Sequence, residues 1–195
     1  MATLPLSPLL FFVTISSHLA SSTAASAHYL EAACNVTRHR ALCMRSLESF
    51  SHSAAWKQKN PSWWARGAVA VTLTEANDIG RYLAKMKHGG RTRGGRAGRA
   101  MADCVECFGD AVAELRSSLG ELRRLERGTF EYQMSNVETW VSAALTNQDT
   151  CLDGFGGYKG KEVGEVKAKV LNATYLTSNA LALVNNLASS GAWRN

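Results

Sequence analysis

Apolar residues in this chain recur at steps of three and four, over four segments long enough to be helices. From Trp63, the first segment puts Val69, Leu73, Ala76, Ile79, Leu83 and Met86 on one stripe, with Glu75, Asp78, Arg81 and Lys85 elsewhere. The second, from about Arg99 to Leu122, carries Met101, Cys104, Val105, Phe108, Ala111, Val112, Leu115 and Leu119. Glu121 to Phe130 reads as a charged connection. Ser135-Asn136-Val137-Glu138 then has the form of a capping box opening the third helix. Its inward face continues through Val137, Val141, Ala144, Leu145, Gln148 and Cys151, until Gly154, Gly156 and Gly157 stop it. The last segment is the most regular, with Val163, Val166, Val170, Ala173, Thr177, Ala180, Val184 and Leu187 in unbroken register.

No strand-like alternation competes with these stripes. Helices of this length joined by short connections predict an all-α fold: an antiparallel up-down-up-down four-helix bundle over residues 61–190. Residues 28–60 hold two short helical pieces around a turn, with Cys34 and Cys43 near the join. They contain too little apolar surface to stand alone and read as an N-terminal helical hairpin extension of the same domain, 28–190.

Composition changes the picture at the amino end. Residues 1–27 contain no Lys, Arg, Asp or Glu. An apolar run centred on Leu9-Leu10-Phe11-Phe12-Val13 precedes Ala25-Ser26-Ala27, the small-residue pattern of a cleavage site. The run is far short of the ~20 apolar residues of a spanning helix, so 1–27 is read as a signal peptide cleaved before His28. The formal charge of +6 and all five Cys then belong to the mature chain. Secretion makes disulfides the expected state of most thiols, and an odd count leaves one free or paired between chains. A bridge from Cys104 to Cys151 is the hypothesis that organises the centre of the chain, because it would pin two antiparallel helices side by side. Asn35-Val36-Thr37 and Asn172-Ala173-Thr174 are glycosylation sequons consistent with a secretory route, whereas Asn60-Pro61-Ser62 is not one.

Candidate chemistry is sparse, and no catalytic residue, metal site or cofactor is expected. The five His fall at positions 18, 28, 39, 52 and 88, none paired at helical spacing. No Glu-x-x-His occurs for a di-metal bundle, and Cys104-x-x-Cys107 lacks a second ligand pair for zinc. Both sulfurs fall on an apolar face, so a structural bridge plus a packed thiol is a simpler reading than a redox pair. Lys85 to Arg99 is rich in Arg, Lys and Gly. With no interleaved aromatics it does not read as a nucleic-acid segment; a solvated loop is simpler, and a carboxylated wall polysaccharide is the natural extracellular polyanion for it. Asp103, Glu106, Asp110, Glu114, Asp149 and Asp153 form either a solvated face or a docking face. These features favour a secreted binding protein over an enzyme.

The same residues resemble the plant invertase and pectin methylesterase inhibitor family. Cys34-Asn35-Val36-Thr37 followed by Cys43 looks like its first cysteine pair. Arg99 to Cys104 with Asp110 to Leu115 looks like its third-cysteine helix. Val137 to Leu145 with Thr150 to Phe155 looks like its fourth-cysteine helix, and Leu176 to Leu183 is similar to its closing helix. The chain departs from the pattern at His39-Arg40, at Phe108 and in its unusually basic Arg/Gly stretch.

The resemblance implies bridges Cys34–Cys43 and Cys104–Cys151, with Cys107 as the unpaired thiol. It implies a non-catalytic inhibitor that forms a non-covalent complex with pectin methylesterase in the apoplast and covers the enzyme's pectin-binding cleft. The contact face is expected near Glu106, Asp110, Asn147, Asp149, Thr150 and Asp153. Acid invertase of the cell wall or vacuole is the alternative target. The Pro-Lys-Phe motif typical of invertase inhibitors is absent, since the three prolines stand at 5, 8 and 61. A further alternative is a non-inhibitory bundle that makes a weak pectin contact through its basic loop. Nucleic acid is not expected as a partner, nor a membrane after cleavage. Amino-terminal sequencing of protein secreted by plant cells checks the leader assignment: the mature chain is expected to begin at His28, and an intact Met1 would refute it.

Overall fold

The computed structural model describes residues 28–51, 60–88 and 95–191. The proposed leader and residues Arg91 and Arg93 of the basic stretch lie outside this set. A short helix α1 (28–34) turns into α2 (Arg40–Ser51), followed by four long helices. These are α3 (Pro61–His88), α4 (Gly95–Leu122), α5 (Phe130–Gly154) and α6 (Lys161–Ser189), with a 3-10 turn at Arg127–Thr129.

The long helices close a ring: α3 packs on α4 and α6, and α5 packs on α4 and α6. Contacts at two levels fix the direction of two pairs. Cys104 meets Cys151 while Glu114 meets Asn147, so α4 and α5 run antiparallel. Glu75 meets Asn172 while Tyr82 meets Lys169, so α3 and α6 do too. The stripes face the middle of the ring, with Val69, Leu83, Phe108, Leu115, Val137, Val141, Val170 and Leu187 fully buried. Leu73, Val105, Val112 and Val163 sit half-buried at its edge.

Three local expectations shift. Helix α5 begins at Phe130 and not at the Ser135 capping box; Ser135 is inside the helix, its carbonyl accepting from Thr139 Oγ1 at 2.8 Å. The cause is tertiary. Phe130 and Met134 are buried, and Gln133 takes the Glu126 N–H on its Oε1 at 2.8 Å while donating Nε2 to the Arg124 carbonyl at 2.8 Å. The connection is thus tied to the new helix's first turns. Helix α4 likewise begins at Gly95, and Lys85 and Lys87 lie in the last turn of α3, so much of the basic stretch is helical. The first long helix opens at Pro61, where a missing N–H costs nothing. Its neighbour Asn60 accepts from the Ser62 N–H at 3.0 Å.

Helix α5 ends in a glycine turn. Gly157 (φ +76°) and Gly160 (φ +135°) occupy backbone regions that side chains disfavour, and Phe155 between helix and turn is fully buried. The hairpin is held at both ends of its turn. Cys34 is bonded to Cys43, with Cα atoms 5.7 Å apart. The His39 N–H donates to Asn179 Oδ1 at 3.0 Å, and Asn179 Nδ2 donates to the His39 carbonyl at 3.0 Å. Asn179, buried on α6, therefore satisfies both backbone groups of a residue 140 positions away.

One core polar group is less well served. Gln148 is fully buried beside Thr177 Oγ1 at 2.8 Å, and that hydroxyl also lies 2.9 Å from the Ala173 carbonyl. One hydroxyl proton cannot serve two acceptors. With the amide turned so that its NH2 donates to Thr177, the chain Gln148 to Thr177 to Ala173 is satisfied, and the group left over is an oxygen, not a costlier orphan donor.

The two bridges close loops of very different length, with sequence separations of 9 and 47. Chain entropy alone assigns the longer about 4 kcal/mol and the shorter about 2.7 kcal/mol. Denaturant unfolding of a Cys104→Ala/Cys151→Ala variant is expected to show the larger loss; a greater loss from Cys34→Ala/Cys43→Ala would reverse the ranking.

Candidate functional site

The seam between α4 and α5 gathers most of the polar candidates. Buried positions on each helix set which flanks meet. On α4 the inward residues Cys104, Phe108, Ala111 and Leu115 leave Cys107 and Glu114 on the α5 side. On α5 the inward residues Ala144, Gln148 and Cys151 leave Asn147 and Gly154 facing α4. Three rungs join the two helices. Cys104 is bonded to Cys151 with Cα atoms 4.5 Å apart. Asn147 Nδ2 donates to Glu114 Oε2 at 3.1 Å. Gly154 lies where a Cβ would stand 3.8 Å from the Ala100 methyl, so the helix ends approach closely.

Charge accumulates along this seam with one sign. Burial raises the Glu114 carboxyl above its ordinary range, the Asn147 hydrogen bond opposes the rise, and the Asp110 charge one turn away adds to it. Cys107 is the free thiol among the described residues and is half-buried. Burial pushes its pKa up, and the negative charges of Asp110, Asp103 and Glu106 push it further. The thiol is therefore held protonated, in the middle of a helix and not at an amino end, and it has none of the cationic surroundings that activate a cysteine. Among the described residues, no group of three or more His, Cys, Asp or Glu is placed to hold a metal ion.

The six expected contact residues divide. Glu106 and Asp110 are exposed on α4, Asn147 is half-buried in the seam, and Thr150 is exposed one turn along from Asn147, its hydroxyl donating to the Thr146 carbonyl at 2.8 Å. Asp149 and Asp153 are exposed as well, but about 100° of turn per residue carries them well round α5 from Asn147. Burial and then the neighbouring Asp153 charge raise the Asp149 carboxyl. The structure thus brings Asn147 to Glu114, and it gathers Asp103, Glu106 and Asp110 around Cys107. It leaves Asp149 and Asp153 as a second acidic pair further round α5.

The two sequons also occupy different settings. Asn35 is exposed in the hairpin turn. Asn172 is half-buried on α6, donating to Glu75 Oε1 at 3.2 Å.

The sequence pattern of the plant invertase/pectin methylesterase inhibitor family matches residues 28–183. The chain belongs to that family. It is a family of inhibitors, not of enzymes. The chain is 43% identical to Pectinesterase inhibitor 6 of Arabidopsis thaliana over 84% of its own length and 77% of the relative's. It is 39% identical to Pectinesterase inhibitor 10 of the same plant, over 83% of this chain and 52% of the longer relative. The fold is that of a crystallised pectin methylesterase inhibitor from Arabidopsis, mutant form A, with a TM-score of 0.63 and 22% identity over 78% of this chain and 92% of that one. Among the described residues, no helix is long and apolar enough to cross a membrane.

Sequence reasoning grouped Glu114 with the other carboxylates, but the stripe pattern held no sign that it would pair with Asn147. Three arginines, Arg38, Arg40 and Arg45, stand close together in the sequence with His39 among them. Nothing along the chain ties them to Asn172 and Tyr175, which they face across a cavity.

The raised carboxyls give a signed prediction. A group whose folded-state pKa lies above its unfolded value favours the folded state at low pH, and that advantage is lost as pH rises through the folded pKa. Glu114→Gln keeps an acceptor for Asn147 and removes the charge. The variant is expected to melt above the parent at pH 7 and level with it at pH 3; an equal difference at both pH values would refute the assignment.

Proposed function

We propose that the mature chain is a secreted inhibitor of pectin methylesterase that blocks the enzyme's pectin-binding cleft by forming a non-covalent complex. The observation that carries this reading is the 43% identity to a pectinesterase inhibitor over 84% of the chain. The physical character of the bundle agrees with it. A rigid pair of helices, cross-linked once and hydrogen-bonded once, presents an outward row of polar and acidic side chains with little ordering left to lose on association.

The docking face in this proposal runs along α4 and α5 through Glu106, Asp110, Asn147 and Thr150, with Asp149 and Asp153 reaching round α5. Carboxyls that resist ionisation in the free protein would be relieved by a cationic partner, so pairing favours a target with basic groups beside its cleft. The apoplast is the compartment in which such a complex would form, and glycans at Asn35 and Asn172 would accompany the secretory route.

Titrating the mature protein into plant pectin methylesterase and into acid invertase, at mildly acidic pH, tests the proposal. Loss of esterase activity with invertase unaffected is the expected result. Inhibition of invertase alone would assign the chain to the other target, and pectin binding without inhibition of either enzyme would leave a non-inhibitory wall protein. Asp110→Lys, exposed and outside the core, is expected to weaken esterase inhibition by about tenfold or more with no fall in melting temperature, since it removes a like charge one turn from Glu114. Unchanged inhibition by that variant would move the docking face away from α4.

A further inference from the structure

A cationic cavity lies between the hairpin and α6, away from the α4–α5 seam. It is an open depression of about 430 Å³ lined by Arg38, Arg40 and Arg45 from the hairpin, His39 at its turn, and Asn172 and Tyr175 from α6. No carboxylate lines the cavity. Arg40 is paired with Glu31 at the cavity's rim, an exposed bridge that screens one of the three guanidinium charges only in part. Glu48 stands one turn beyond Arg45 on the exposed side of α2.

Three features fix the backbone and the aromatic wall of the cavity. The His39 backbone is held from both sides by buried Asn179. The His39 ring stacks on Tyr175 with centroids 3.9 Å apart and planes at 21°. The Cys34–Cys43 bridge closes the turn from which Arg38 and Arg40 project. Like charges are thus gathered on a fixed backbone where repulsion alone would disperse them. Guanidinium forks match planar carboxylates, and an aromatic pair in the same wall offers an apolar surface to a sugar ring. None of these residues belongs to the α4–α5 face.

We infer that this cavity between α2 and α6 binds a carboxylated oligosaccharide, with Arg38 and Arg45 holding carboxylates and the His39–Tyr175 pair bordering a sugar ring. The choice of a uronic-acid ligand rests on the reading of the chain as a pectin methylesterase inhibitor, because de-esterified pectin is the polyanion that such an enzyme produces. The binding itself requires no enzyme and is measured without one.

Isothermal titration calorimetry of the mature protein with unesterified oligogalacturonate, at low ionic strength, is the test. It is run beside the fully methyl-esterified oligomer and inorganic phosphate, and repeated in Asn172→Gln so that a glycan on the wall cannot mask the cavity. Saturable binding of the unesterified oligomer alone is expected, weakened by about tenfold or more in Arg38→Gln/Arg45→Gln and unchanged in Arg96→Gln/Arg99→Gln on α4. Equal binding of phosphate would overturn the saccharide assignment. Loss in the α4 variant but not in the hairpin variant would move the site to the basic stretch, and absence of binding in both the parent and Asn172→Gln would sink the inference. Retained esterase inhibition in the hairpin variant separates this site from the docking face, so failure of either proposal is recognisable on its own.

Discussion

The Cys104–Cys151 bond is the constraint on which the rest of the bundle depends. It joins the two most closely packed helices near the carboxyl end of α5, and their remaining contacts follow from that register. With the bond in place, Glu114 falls opposite Asn147 and Gly154 opposite Ala100. A one-residue slip would rotate each helix by about 100° and put Glu114 or Arg116 in the place of Leu115, and Cys107 or Gly109 in that of Phe108. The bond closes a long loop and so restricts the unfolded chain, while apolar burial around it supplies the attraction that folds the helices together.

Polar groups placed inside the fold have a different task. Asn179 and Gln133 contribute little net energy through any one hydrogen bond, but each satisfies backbone groups that would otherwise be left without partners in a confined space. Asn179 thereby fixes the hairpin to α6, and Gln133 fixes the connection ahead of α5. The consequence is a scaffold with two stiff surfaces of opposite charge. The α4–α5 seam is acidic, with carboxyls and a thiol that mutually resist ionisation. The hairpin–α6 cavity is basic and aromatic. If both proposals hold, a protein partner and an acidic saccharide would not compete for one patch.

Membership of the inhibitor family is in keeping with a rigid bundle. Among the described residues its inward positions are mostly apolar and its exposed acids lie on outward flanks. What it has is preformed shape. That property suits occlusion, in which the energy of association comes from a surface already in its bound geometry.

Periodicity by itself determined the four long helices, because a buried stripe requires apolar residues at steps of three and four whatever the partners are. Val166 to Leu187 showed this without help from tertiary context. The thiol pattern and the resemblance together pointed to which cysteines stand near one another. Helix ends were another matter. The local capping signal at Ser135 lost to Phe130, Met134 and Gln133, whose reward comes from the core and the preceding connection and is invisible in a short window. Helix α4 likewise starts ahead of its apolar stripe, at Gly95, despite that residue's poor helix propensity. Glu114 with Asn147, and His39 with Asn179 and Tyr175, are pairs between residues far apart in the chain. Only the packing of one helix on another decided them, because the rotation that brings two flanks together is set by the whole core and by no local run of residues.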